Sequence, residues 1–168
     1  PFRSELAALS SNVVFLPNRY STAWGTGELA FSILESMGWI LENASDSFDY
    51  LFNCSGQDYP IQSSSHFKET FGQSQCEWID SDPVSAQKET RFRYGYKCSK
   101  DRSLRLYLLR KLERFKRPFQ YERFLDGMEL RTGSPWWCVS AEAVNYIVTY
   151  CEEHPECLNA FKNVFGAE

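Results

Sequence analysis

The sequence predicts an α/β fold: an open sheet with flanking helices, gathered into one domain over residues 1–168. Two observations carry this. Short β-branched and aromatic runs closed by turn residues alternate with longer stretches whose apolar positions recur at helical spacing. No internal repeat, low-complexity tract or linker interrupts the 168 residues. Hydrophobic residues make up 43% of the chain and aromatic residues 16%, which excludes the polar, charge-rich profile of a disordered segment. A chain of this length buries roughly two-thirds of the surface that its unfolded form exposes.

Taken in order, Asn12-Val13-Val14-Phe15-Leu16, closed by Pro17-Asn18, has the composition of a buried strand. After the break at Gly25-Thr26-Gly27, Leu29, Phe31, Ile33, Leu34, Met37, Ile40 and Leu41 recur near helical spacing, with Glu28 at the positive end of the helix they predict. Phe48 to Cys54 reads as an aromatic strand ended by Ser55-Gly56. Strand, helix and strand in that order predict a parallel pair joined by a right-handed crossover. Pro60 holds Tyr59 extended, and Ser63-Ser64-Ser65 offers caps for a helix running through Phe71. Cys76 to Asp80 predicts a short third strand. Between Ser103 and Arg117, Leu104, Leu108, Leu112 and Phe115 form the apolar stripe of a further helix. Ser140 caps a helix carrying Ala143, Val144, Ile147, Val148 and Cys151, and a short helix starts at Pro155-Glu156.

No apolar run approaches the roughly 20 residues that span a bilayer, so membrane attachment is expected only through an anchor outside this sequence. The net charge of -4 hides a band from Arg91 to Arg123 with twelve Lys/Arg against three Asp/Glu. That band either attracts polyanions or forms a solvated helix face. An acidic chain without a visible recognition module argues against nucleic acid. The six cysteines, Cys54, Cys76, Cys98, Cys138, Cys151 and Cys157, lack the paired short spacings of a zinc site. They are either disulfide-bonded in an oxidising compartment or buried free thiols. Asn43-Ala44-Ser45 is an acceptor sequon for glycosylation.

Ligands of open parallel sheets sit beyond the carboxyl ends of the strands, where Ser55-Gly56-Gln57-Asp58-Tyr59-Pro60 is expected. Gly56 permits a tight turn there, and Asp58 offers an acceptor for sugar hydroxyls. The competing reading is an Asx turn in which Asp58 satisfies its own backbone. In Thr132-Gly133-Ser134-Pro135-Trp136-Trp137-Cys138-Val139-Ser140, Trp136 beside Ser134 suits a sugar, whose flat apolar face stacks on an indole while its hydroxyls need polar neighbours. Core packing is the competing fate for at least one of the two tryptophans. Trp24-Gly25-Thr26-Gly27-Glu28 raises the same sugar contact, or an anion on helix amides; its glycine spacing excludes a dinucleotide fingerprint. Asp80-Ser81-Asp82 either holds Mg²⁺ or Mn²⁺ against a diphosphate or forms a surface turn before Pro83. His66 and His154 stand without partners at ligand spacing, and no Gly-x-Ser-x-Gly elbow marks a serine hydrolase.

Trp24-Gly25, then Phe48-Asp49-Tyr50-Leu51-Phe52-Asn53-Cys54-Ser55-Gly56-Gln57-Asp58-Tyr59-Pro60-Ile61, then Gly133-Ser134-Pro135-Trp136-Trp137-Cys138-Val139-Ser140, form an ordered set. In order and spacing it resembles the core-2/I-branching β-1,6-N-acetylglucosaminyltransferase and peptide O-xylosyltransferase family, glycosyltransferase family 14. The resemblance runs from about Asn12 to Glu168 and is loose between Thr70 and Phe124. It implies a GT-A-like fold, incomplete at both ends in this chain. It further implies inverting, metal-independent transfer of N-acetylglucosamine or xylose from a UDP-sugar to a glycan or glycoprotein hydroxyl, with no cofactor. A type II setting in the Golgi membrane, with the domain on the lumenal side, belongs to the same expectation.

The resemblance also places site residues. Trp136 is implied near the sugar and Asp80 at the acceptor, with Trp24, Asp58 and Ser134 completing the substrate-binding set. Gly166-Ala167-Glu168 resembles the family's Pro-Ala-Glu motif without its proline, so Glu168, or a glutamate just past it, is the implied base for the acceptor hydroxyl. The family's first strand would precede Pro1, and the basic residues that neutralise departing UDP would follow Glu168. Without them the leaving group loses stabilisation on the order of several kcal/mol, and this chain alone is expected to turn over little UDP-sugar. A different class remains open: a non-catalytic carbohydrate-binding or extracellular interaction module, with tryptophans as platforms and the basic band facing sulfated glycans.

Overall fold

The structure, a computed structural model, describes residues 13–20, 27–43, 48–74, 76–85 and 127–162. Its elements are α1 (Glu28–Asn43), β1 (Tyr50–Asn53), α2 (Ser64–Phe71), β2 (Asp82–Pro83), β3 (Arg131–Thr132), β4 (Trp137–Ser140), α3 (Ala141–Glu153) and α4 (Pro155–Lys162). The helices stand where local signals put them. Ser63 and Ser140 hold extended backbone, and each hydroxyl accepts the backbone amide three residues on, His66 at 3.3 Å and Ala143 at 3.1 Å.

β1 and β4 pair antiparallel, with Leu51 opposite Val139 and Phe52 opposite Cys138. Strand alternation then sorts the side chains onto two faces. On one face Leu51, Val139 and Trp137 meet α1 and α3 in a core centred on Met37, Val139 and Val144. On the other, Tyr50 and Phe52 meet α2 through an aromatic cluster. Phe52 and Phe71 stand edge to face at 4.9 Å, and Phe71 meets Trp78 the same way at 5.7 Å. Each such pair contributes about 0.5–1.5 kcal/mol beyond its buried area. The core face of the small sheet is thus covered by α1 and α3, while α2 lies over the other face and leaves Phe52 40% exposed.

The parallel pair expected from the sequence is replaced. Val13 to Leu16 form no strand, and Val13 and Val14 are exposed; β-branched content marks a residue that fits a pleated surface but does not supply the surface. β1 instead finds its partner in β4, far downstream, because Leu51 and Val139 offer matching apolar faces to the same helices. All strand pairings among the described residues are antiparallel. The strand expected over Cys76 to Asp80 is reduced to one bridge, in which Trp78 and Cys138 exchange both backbone bonds at 2.8 and 3.0 Å. The expected helix between Ser103 and Arg117 lies outside the described residues, as do the whole basic band and Cys98. No described helix is long and apolar enough to cross a membrane.

Candidate functional site

The site is built around a break in the register of the sheet. Trp78 faces Cys138, and Asp82 faces Thr132. Between these points one strand advances four residues, from 78 to 82, while the other advances six, from 132 to 138. Two extra residues must bulge out within Gly133 to Trp137, and bulges re-aim the side chains they carry. At Gly133 the two segments come close: a Cβ there would stand 1.8 Å from the carbonyl oxygen of Asp80. Only glycine allows that approach.

Side chains pin the bulge from the other edge. Asn53, the last residue of β1, donates its Nδ2 to the Pro135 carbonyl at 2.6 Å. The Trp136 indole donates its Nε1 to Oδ2 of Asp58 at 2.8 Å. Within the bulge, the Trp136 amide donates to Oγ of Ser134 at 3.2 Å, so Ser134 shapes the turn with its acceptor side. The loop holding Asp58 is itself closed: the Asp58 amide donates to the Ser55 carbonyl at 3.1 Å, and the Ser55 amide donates to Oδ2 of Asp58 at 2.5 Å. Asp58 therefore closes its own turn and reaches across 78 positions to Trp136. The Ser55 amide chiefly, and the Trp136 indole next, hold its carboxyl below the ordinary aspartate range. Gly56, read as permitting a tight turn, lies in one, without a positive φ and with open space where a Cβ would stand.

The two neighbouring tryptophans have opposite fates. Trp137 packs against the core, whereas Trp136 is 56% exposed with its indole N–H already committed. More than half of its surface remains open to solvent. Tyr59 and Ile61, on the same loop as Asp58, are 85% and 90% exposed. The Asp58 carboxylate, whose Oδ2 accepts from the Ser55 amide and the Trp136 indole, thus places an acceptor beside an exposed aromatic ring. Behind the bulge lies an apolar cavity of about 450 Å³, lined in part by Ile33, Met37, Ile79, Pro135 and Trp137.

Of the other expected site residues, Asp80 is exposed with its backbone against Gly133, and Asp82 is exposed in β2 opposite Thr132. Among the described residues no three His, Cys, Asp or Glu gather as a metal site. Trp24 and Glu168 lie outside the described residues. Sequence reasoning missed two residues. Asn53 gave only the weak signal of an amide at the end of an aromatic strand. Glu77 gave none, yet its carboxylate accepts both the amide and the hydroxyl of Ser140, at 2.8 and 2.5 Å, locking the segment before Trp78 onto the start of α3. Burial foremost, then the charges of Glu77 and Cys54, push the Cys138 thiol up to about 11. Cys54, Cys76, Cys138, Cys151 and Cys157 are all free thiols.

A model of the family described as core-2/I-branching enzyme matches residues 2–165. Among curated proteins nothing matches the chain.

Proposed function

The chain belongs to the core-2/I-branching enzyme family, a family of glycosyltransferases, and from that premise we propose that its residues serve inverting transfer of N-acetylglucosamine or xylose from a UDP-sugar to a hydroxyl of a glycan or glycoprotein, with little turnover expected of this chain alone. The reading includes a GT-A-like single domain and no requirement for a metal ion or other cofactor. The observation that carries it is the bond from Trp136 Nε1 to Asp58 Oδ2 at 2.8 Å. It joins the two motif-bearing loops and sets a half-exposed indole, suited to the C–H face of a pyranose, beside a carboxylate suited to a sugar hydroxyl.

Inversion requires a carboxylate that takes the acceptor hydroxyl's proton as its oxygen attacks the anomeric carbon in line. The bond from that carbon to the phosphate oxygen breaks, and UDP leaves with the electron pair. By motif resemblance, Glu168 is the proposed base and Asp80 an acceptor contact, and on the chemistry of their side chains Trp24 and Ser134 stand at the sugar. The lumenal side of the Golgi, with attachment through an anchor outside this chain, belongs to the same reading; the sequon residue Asn43 is exposed at the end of α1, where its Nδ2 donates to the Trp39 carbonyl at 2.9 Å.

Calorimetry of UDP-N-acetylglucosamine and UDP-xylose in EDTA and in Mn²⁺ tests the proposal. Binding in EDTA that is weakened about tenfold or more, yet still measurable, in Trp136→Ala is expected. Binding only with Mn²⁺ would make Asp80 and Asp82 cation ligands and overturn metal independence. Salt-sensitive binding of sulfated glycans without UDP-sugar binding would instead indicate a non-catalytic carbohydrate module.

A further inference from the structure

We infer that Asn53 is a positioning residue for sugar transfer: its side-chain amide fixes the Pro135 carbonyl and thereby sets Trp136 in the pose that Asp58 holds. The inference rests on reading Trp136 as the sugar platform. Asn53 ends β1 opposite Trp137, so alternation turns its side chain toward the face on which Trp137 lies, next to the bulge. The bond to Pro135 spans 82 positions and is partly buried. Facing a carbonyl, only the amide NH2 of asparagine can make it.

Bulging removes Pro135 from the ladder, and no described backbone amide donates to its carbonyl. The Asn53 amide substitutes for the ladder bond that the bulge breaks. Fixing that carbonyl fixes the plane of the peptide joining Pro135 to Trp136, because a peptide unit is rigid. The Trp136 amide then meets Oγ of Ser134, and its indole meets Asp58. Two side chains from one end of β1, Asn53 and Asp58, thus hold two consecutive residues of the bulge. Asparagine is disfavoured within strands, which agrees with a residue kept at this place for its bond.

The test is the indole proton of Trp136 in the ¹⁵N-labelled full chain, assigned by its loss in Trp136→Phe. Asn53→Asp keeps the shape but sets an acceptor against the Pro135 carbonyl. The Trp136 signal is expected to leave its carboxylate-bonded downfield position for that of a free indole, while the other four indole signals stay in place. Asn53→Ala, which adds no charge, is expected to do the same and serves if Asn53→Asp does not fold. A Trp136 signal that stays in place in a folded variant overturns the inference.

UDP-N-acetylglucosamine affinity separates this from the reading beneath it. Asn53→Ala is expected to weaken binding about tenfold in the parent and to add nothing to Trp136→Ala, since residues acting through one another are not additive. Equal losses in both backgrounds would make Asn53 merely structural. Unchanged affinity in Trp136→Ala alone would sink the sugar platform, leaving the indole shift to decide the positioning.

Discussion

Replacing Gly133 by alanine sets a methyl carbon 1.8 Å from the Asp80 carbonyl oxygen and 2.8 Å from its carbon. Carbon and oxygen in ordinary contact stand about 3.3 Å apart, so the two segments must part by roughly 1.5 Å. Neither obstructing atom can swing aside, because both are backbone. Overpacking costs about 1–3 kcal/mol, and a clash with rigid backbone belongs at the upper end. At about 2–4 °C per kcal/mol for a chain of this size, Gly133→Ala should melt roughly 4–12 °C below the parent. Gly56→Ala is the internal control. Its Cβ meets nothing and its φ is not positive, so restricting the unfolded chain should stabilise it by about 0.4–1 kcal/mol. Thermal melts by circular dichroism, with both variants beside the parent, read the difference. A Gly133→Ala chain that melts with the parent, or two alanines that shift the melt in the same direction, would refute the close approach and with it the geometry of the bulge.

Asp58 should keep its bond to Trp136 as the pH falls through about 3.9, where an unfolded aspartate protonates, because its folded value lies lower. Stability from the bond is fully present above that pH and is lost only in stronger acid; an indole signal of Trp136 that titrates at the ordinary aspartate value would contradict this. Ser140→Ala removes the cap of α3 and the hydroxyl bonded to Glu77, which should cost about 1 kcal/mol and lower the melting temperature by about 2–4 °C. An unchanged melt would show the cap to be idle. Maleimide at pH 8, followed by peptide mass mapping, should modify the exposed Cys54 and Cys76 well before buried Cys138, whose thiol is pushed up to about 11. Early modification of Cys138 would mean that β4 is open.

Local chemistry was legible and pairing was not. Ser63 and Ser140 cap the helices that follow them because a hydroxyl and an amide three residues away decide the matter between themselves. The substrate-binding set put Asp58 and Trp136 together, and the two are bonded. The parallel sheet was misjudged because the strand order along the chain says nothing of which run has the complementary face. Val139, not Val13 or Val14, shares the core with Leu51. The bulge was hidden for a related reason: it arises only where two pairings differ in register by two residues, and neither pairing is visible in Gly-Ser-Pro-Trp itself. Asn53 and Glu77 act across 82 and 63 positions, distances at which a single sequence offers no periodicity to follow.

A titration of the ¹⁵N-labelled chain with UDP-N-acetylglucosamine and UDP-xylose, following its five indole signals, bears most directly on the claim that a pinned, exposed tryptophan receives the sugar. The Trp136 signal should move first and furthest, with the core-packed Trp137 following weakly. Movement confined to Trp39 on α1, with Trp136 stationary at saturation, would contradict it.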